Sequence, residues 1–100
     1  MKKSKVELGI EFLDREHPGW YKKIDLDVLD IKSGLHCVLG QLRGGHYFDF
    51  IEAMFSGVPW PVRQRWARNH GFMLPTGADP QPLTEAWRAA IKRRREAKGG

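Results

Sequence analysis

Leu83-Thr84-Glu85-Ala86-Trp87-Arg88-Ala89-Ala90-Ile91, running on into Lys92-Arg93-Arg94-Arg95, is the stretch from which the rest of the chain is read. Leu83, Ala86, Trp87, Ala90 and Ile91 recur at helical spacing. They predict a helix from about Pro82 with those five residues on its buried face. The arginines fall in the last turns, where positive charge suits the helix dipole. A tail from about residue 97 to residue 100 is expected to fray. Such a helix needs an apolar partner, and the upstream sequence supplies several.

Pro61 suits the first position of a preceding helix, with Val62 and Trp66 inward and Gly71 as its stop. Between the two lies a turn-rich connection, Pro75-Thr76-Gly77-Ala78-Asp79-Pro80-Gln81-Pro82. Further back, Tyr47, Phe50, Ile51 and Met54 predict a helix from about His46 to Phe55, ended by Gly57 and Pro59. Leu35, Val38, Leu39 and Leu42 predict another, capped by Ser33 and closed by Gly44-Gly45. At the start, Ser4-Lys5-Val6-Glu7 has capping-box spacing, and Val6, Ile10 and Leu13 carry a helix of about three turns to His17-Pro18-Gly19. Residues 24–31 alternate in part like a strand, but a strand here has no partner to pair with. They read as an extended segment leading into a short helical turn. The expected fold is all-α: one compact domain, residues 1–100, of four to five short helices joined by Gly/Pro turns. Leu39, Trp66 and Trp87 are expected in its core.

Charge divides unevenly along the chain. Residues 1–60 hold 8 Lys+Arg against 9 Asp+Glu, and residues 61–100 hold 9 against 3. The whole net charge of +5 therefore sits in the last third and beyond. A basic, tryptophan-anchored helical end on a neutral body suits an acidic partner. The lone cysteine, Cys37, excludes an internal disulfide. No apolar run approaches the ~20 residues that span a membrane. Val6-Glu7-Leu8-Gly9-Ile10-Glu11 is too charged for a signal core. The expected setting is the bacterial cytoplasm, with no membrane partner.

Motifs for chemistry are sparse. Cys37, His36, His46 and His70 lack the paired ligand spacing of a zinc site, so no metal is expected, and no cofactor. Cys37, between Leu35 and Val38, reads as a small core residue rather than a nucleophile. Asp14, Glu16, Asp25, Asp27 and Asp30 read as a solvated acidic edge, with pairing to the basic end, within the chain or between copies, as the alternative. No catalytic residue stands out, and the expectation is that the chain is not an enzyme. Trp20 and Trp60, beside proline and glycine, are the tryptophans expected at the surface. With Arg93, Arg94 and Arg95 projecting into solvent, they form the expected partner-binding set. Arg63, Arg65, Arg68, Arg93, Arg94 and Arg95 form the alternative nucleic-acid-binding set, through bidentate phosphate contacts.

Two resemblances bear on this. Pro18-Gly19-Trp20, Ile24-Asp25-Leu26-Asp27-Val28-Leu29-Asp30, Cys37-Val38-Leu39-Gly40-Gln41-Leu42, His70-Gly71-Phe72 and Leu83-Thr84-Glu85-Ala86-Trp87-Arg88 together resemble a group of small uncharacterised proteins of actinobacterial phages and prophages. The resemblance implies a phage-type origin and an intracellular life, and brings no activity and no site residue. Trp66-Ala67-Arg68-Asn69-His70-Gly71 with Leu83 to Ala90 is more weakly similar to the DNA-binding half of the Lsr2-type nucleoid protein. That family places an Arg-Gly-Arg hook in the intervening loop. Here the loop reads Thr76-Gly77-Ala78-Asp79-Pro80, without arginine, so no base-reading residue carries over. The leading expectation is a non-enzymatic interaction or regulatory module that binds a cytoplasmic host protein. The alternative is sequence-tolerant binding of double-stranded DNA. The oligomeric state is left open.

Overall fold

The computed structural model describes residues 3–33, 36–42, 47–75 and 77–97, with 47–50 as backbone only. Five α-helices account for most of them: α1 (Lys5–Glu16), α2 (Val38–Leu42), α3 (Tyr47–Phe55), α4 (Trp60–Asn69) and α5 (Gln81–Ala97). A 3-10 turn covers Trp20–Lys22, and no strand occurs among the described residues. The all-α expectation holds. Leu35, Gly44, Gly45, His46, Thr76 and residues 98–100 lie outside the described residues, as do the side chains of Tyr47 and Phe50.

α1 begins as its sequence dictates. The Ser4 hydroxyl accepts from Glu7 N, and the Glu7 carboxylate accepts from Ser4 N, closing the capping box. Its buried face, Val6, Gly9, Phe12 and Leu13, meets both long C-terminal helices. α4 runs antiparallel to α1, with Gly71 against the Lys5 backbone and Phe12 against Trp66. α5 runs alongside α1 in the same direction, with Trp87 at Gly9 and Arg94 at Asp14.

Rings fill the space between them. Trp20 lies edge-on to Trp87 at 5.9 Å, Trp87 stacks on Phe72 at 5.4 Å, and Phe72 stacks on Trp66 at 5.6 Å. Phe12 closes the row edge-on to Trp66 at 4.9 Å. Such offset and edge-to-face pairs add to simple area burial. The Trp87 indole N–H donates to the Gly71 carbonyl at 2.7 Å, so the largest buried side chain leaves no polar atom unpaired. Gly71 holds φ at +75°, a conformation open to glycine at little cost, and this turns the chain off α4 so that Phe72 can enter the row.

Leu39 and Trp87 are fully buried as expected, and Trp66 is partly buried against the core. Three inward assignments and one cap need correction. Val62 is 49% exposed, because Arg63 takes the inward position of α4 and donates to the Val58 carbonyl at 2.7 Å. Ala86 is exposed, because the buried stripe of α5 runs through Thr84, Trp87 and Ile91. Thr84 earns that place by accepting from Ile31 N at 3.1 Å. Met54 lies at the surface, since Ile51 and Phe55 carry the inward face of α3. Ser33 is not the cap of α2: its hydroxyl accepts from His36 N, and the helix starts only at Val38. Residues 24–31 stay extended and turned, without a helix. Ile24, Leu29 and Ile31 point into the core, and Asp25 and Asp30 accept from the amides of Asp27 and Lys32.

Candidate functional site

The final turns of α5 are where the sequence places most of the expected contact residues. The structure divides them. Arg94 donates two parallel hydrogen bonds to Asp14, at 2.7 and 2.9 Å, and lies over the Tyr21 ring. The hydrogen bond to Asp14 pushes its guanidinium pKa further up, against the small opposing effect of desolvation. Arg95 donates to the Tyr21 carbonyl at 2.8 and 3.0 Å and also to that of Ile24. The expectation that Arg94 and Arg95 project into solvent is therefore corrected. They fasten α5 to α1, to the 3-10 turn and to the segment after it, where the part-buried carbonyls of Tyr21 and Ile24 need donors. Arg93 alone of the three is exposed and without a bonded partner among the described residues.

Trp20 is corrected too. It is only 1% exposed, packed on Trp87, and its indole N–H donates to Asp14 at 3.0 Å. Pro18-Gly19 does not hold it outward; Gly19, at φ +81°, turns the chain so that Trp20 enters the core. Trp60 is 40% exposed at the start of α4, with the Arg63 guanidinium 5.9 Å from its ring centre. Arg63 is itself spent within the fold, on the Val58 carbonyl and on Glu52 at 2.6 Å. Arg65 is exposed and Arg68 half-buried. The six arginines thus do not act as one surface. Arg63 is tied to the α3–α4 turn, and Arg94 and Arg95 to α1 and the 3-10 turn.

Cys37 is buried, as expected. Desolvation raises its thiol pKa, although the amide of Gly40, donating to Sγ at 3.3 Å, works in the other direction. A neutral thiol in such a place is a poor nucleophile. Among the described residues no three His, Cys, Asp or Glu side chains stand close enough to hold a metal ion. No helix among the described residues is long and apolar enough to cross a membrane.

What sequence reasoning missed is a groove. α1 and α5 flank a trough of about 680 Å³, lined also by Leu74 and Pro82. Val6 and Ile10 form one wall, and Leu83, Ala86, Ala89 and Ala90 the other. A second hollow of about 290 Å³ continues it past Ile10, Ala90 and Arg93 toward Ala97. The volume falls in the range of ligand and peptide sites. Its sequence signal is the alanines of α5 lying one step off the Trp87 stripe. The rim carries two acids and two bases. Glu7 and Asp79 are hydrogen-bonded to the first amides of α1 and α5, through Ser4 N and Gln81 N. Lys5 and Arg93 have no bonded partner among the described residues.

No protein-family model matches the chain, and no curated protein or solved structure does either.

Proposed function

We propose that this protein is a non-enzymatic interaction module that binds another protein through the α1/α5 groove. The observation that carries the reading is the groove itself: an open, apolar-walled trough between two helices, with cations at its rim. Isolated apolar side chains at a surface mean little, whereas a contiguous concave apolar face has the form of a contact site. The resemblance to small phage-type proteins makes a cytoplasmic protein of the bacterial host the natural partner, and regulation of that partner the natural role. Trp60, half exposed beside the groove-independent α3–α4 turn, is a secondary anchor at most. Duplex binding has less support, because three of its six arginines are already bonded to carbonyls or carboxylates of the fold.

Affinity capture from bacterial host lysate, with and without nuclease, tests this. The wild type is expected to retain a protein after nuclease, and the surface variant Ala89→Glu to lose it. Disappearance of every captured species on nuclease treatment would transfer the function to nucleic acid.

A further inference from the structure

We infer that the occupant of the α1/α5 groove is an acidic amphipathic helix of the partner. This rests on the groove being the contact face of an interaction module. Three observations give the chemistry. The first is backbone supply. Both walls are helices whose amides and carbonyls are paired internally, so an extended peptide finds no edge to extend, and side-chain packing alone must hold the occupant. The second is shape. The walls run in the same direction, and α5 offers Ala86, Ala89 and Ala90, short enough for a helix to lie close. From Leu83 to Arg93 the trough is about 15 Å long, which matches about three turns of helix. Apolar anchors at i, i+3 or i+4, and i+7 would meet Leu83, Ala86 with Val6, and Ala90 with Ile10 in turn.

The third is charge. The rim acids, Glu7 and Asp79, both stand at the end of the trough where α1 and α5 begin, accepting from Ser4 N and Gln81 N near the positive ends of the helix dipoles. Lys5 shares that end with them, whereas at the other end Arg93 is open to a ligand with no acid beside it among the described lining residues. The chain as a whole carries +5. A docking helix with a carboxylate at the Arg93 end of its apolar stripe is favoured there, and a basic one is repelled.

The test uses the full chain and three fluorescein-labelled peptides of about 14 residues, a little longer than the trough. One carries a leucine stripe flanked by glutamates, the second replaces glutamate with lysine, and the third is the glutamate peptide with a central proline. Binding is read by fluorescence anisotropy, and its location by amide shifts in NMR spectra. The glutamate peptide is expected to bind about tenfold or more tightly than either of the others, a difference of about 1.4 kcal/mol. Shifts should centre on Val6, Ile10, Ala86 and Ala89. Arg93→Glu should weaken binding about tenfold, Ala89→Glu should abolish it, and Arg65→Glu on α4 should leave it within about twofold. Equal binding of the glutamate and lysine peptides, equal binding of the proline peptide, or binding by none of the three overturns the inference. If the peptides fail while Ala89→Glu still removes a nuclease-resistant partner from lysate, the helix is wrong and the interaction module stands. If Ala89→Glu leaves that capture unchanged, the groove reading itself falls.

Discussion

Gly9→Ala sets two effects of opposite sign against each other. Gly9 sits inside α1, where glycine costs about 1 kcal/mol relative to alanine. On propensity alone the variant should be more stable by that amount. Tertiary packing opposes it. A methyl group at position 9 would meet the His70 carbonyl and two carbons of the Trp87 ring, the latter at 2.8 Å. Neither neighbour can move away cheaply. The His70 carbonyl precedes the left-handed turn at Gly71, and Trp87 is held by its 2.7 Å hydrogen bond and by Phe72 and Trp20. Overpacking in such a site costs about 3 kcal/mol or more. The net expectation is a loss of about 2 kcal/mol, or about 8–16 °C in Tm for a domain of this size. Urea unfolding should show a lower midpoint at unchanged slope. Ala86→Gly on the exposed side of α5 is the control for propensity alone and should cost about 0.5–1 kcal/mol. A Gly9→Ala variant as stable as the wild type, or more so, would refute the close crossing of α1 over Trp87.

Trp87→Ala should cost about 3–5 kcal/mol in chemical denaturation, and Trp87→Phe about 1–3 kcal/mol, chiefly by leaving the buried Gly71 carbonyl without its donor. Arg95→Ala should cost about 1–2 kcal/mol through the released carbonyls of Tyr21 and Ile24, while Arg93→Ala should shift thermal stability by less than about 0.5 kcal/mol; equal effects would contradict the division of labour on α5. Cys37 should react slowly with a thiol reagent when native and quickly in denaturant. Because burial raises its pKa, the folded protein keeps a proton that the unfolded chain releases above pH of about 8.5. That contribution is whole below that pH and lost as pH rises, so wild-type stability should decline relative to Cys37→Ala above it and run parallel below it. Parallel behaviour through pH 10 would place the thiol in water.

The helices were legible wherever a local rule acts alone. The Ser4–Glu7 box, the proline at the start of α4 and the glycine after it set boundaries through a few neighbouring atoms. The single-step errors at Val62 and Ala86 have a common origin: a polar side chain, Arg63 or Thr84, takes the inward place because a distant backbone group waits for it. Ile31 N lies 53 residues from Thr84, beyond any window of periodicity. Trp20 and the arginines failed for the same reason. Asp14 binds both Trp20 and Arg94: pairing of the acidic stretch with the basic end was among the sequence alternatives, but nothing local says which carboxylate meets which arginine across 80 positions. A run of arginines looks like a surface until its carbonyl partners are known. The groove was invisible because it belongs to neither helix alone: residues of α1 and α5, about 80 positions apart, line it together.

The Asp14–Arg94 pair also fixes when this protein can fold. α1 leaves the ribosome before α4 and α5, yet its contacts are with both, and its last one lies 80 residues downstream. At about 5–20 residues per second, that is roughly 4–16 s of translation. A helix of 12 residues is not stable by itself for that long. Phe12 therefore waits for Trp66 and Phe72, and the Gly9 face of α1 stays uncovered until Trp87 has been synthesised. Folding cannot advance with the growing chain and must come as one late event. A nascent chain stalled before α5 exposes an apolar face that holdase chaperones bind, and a gene fragment ending there yields no folded remnant.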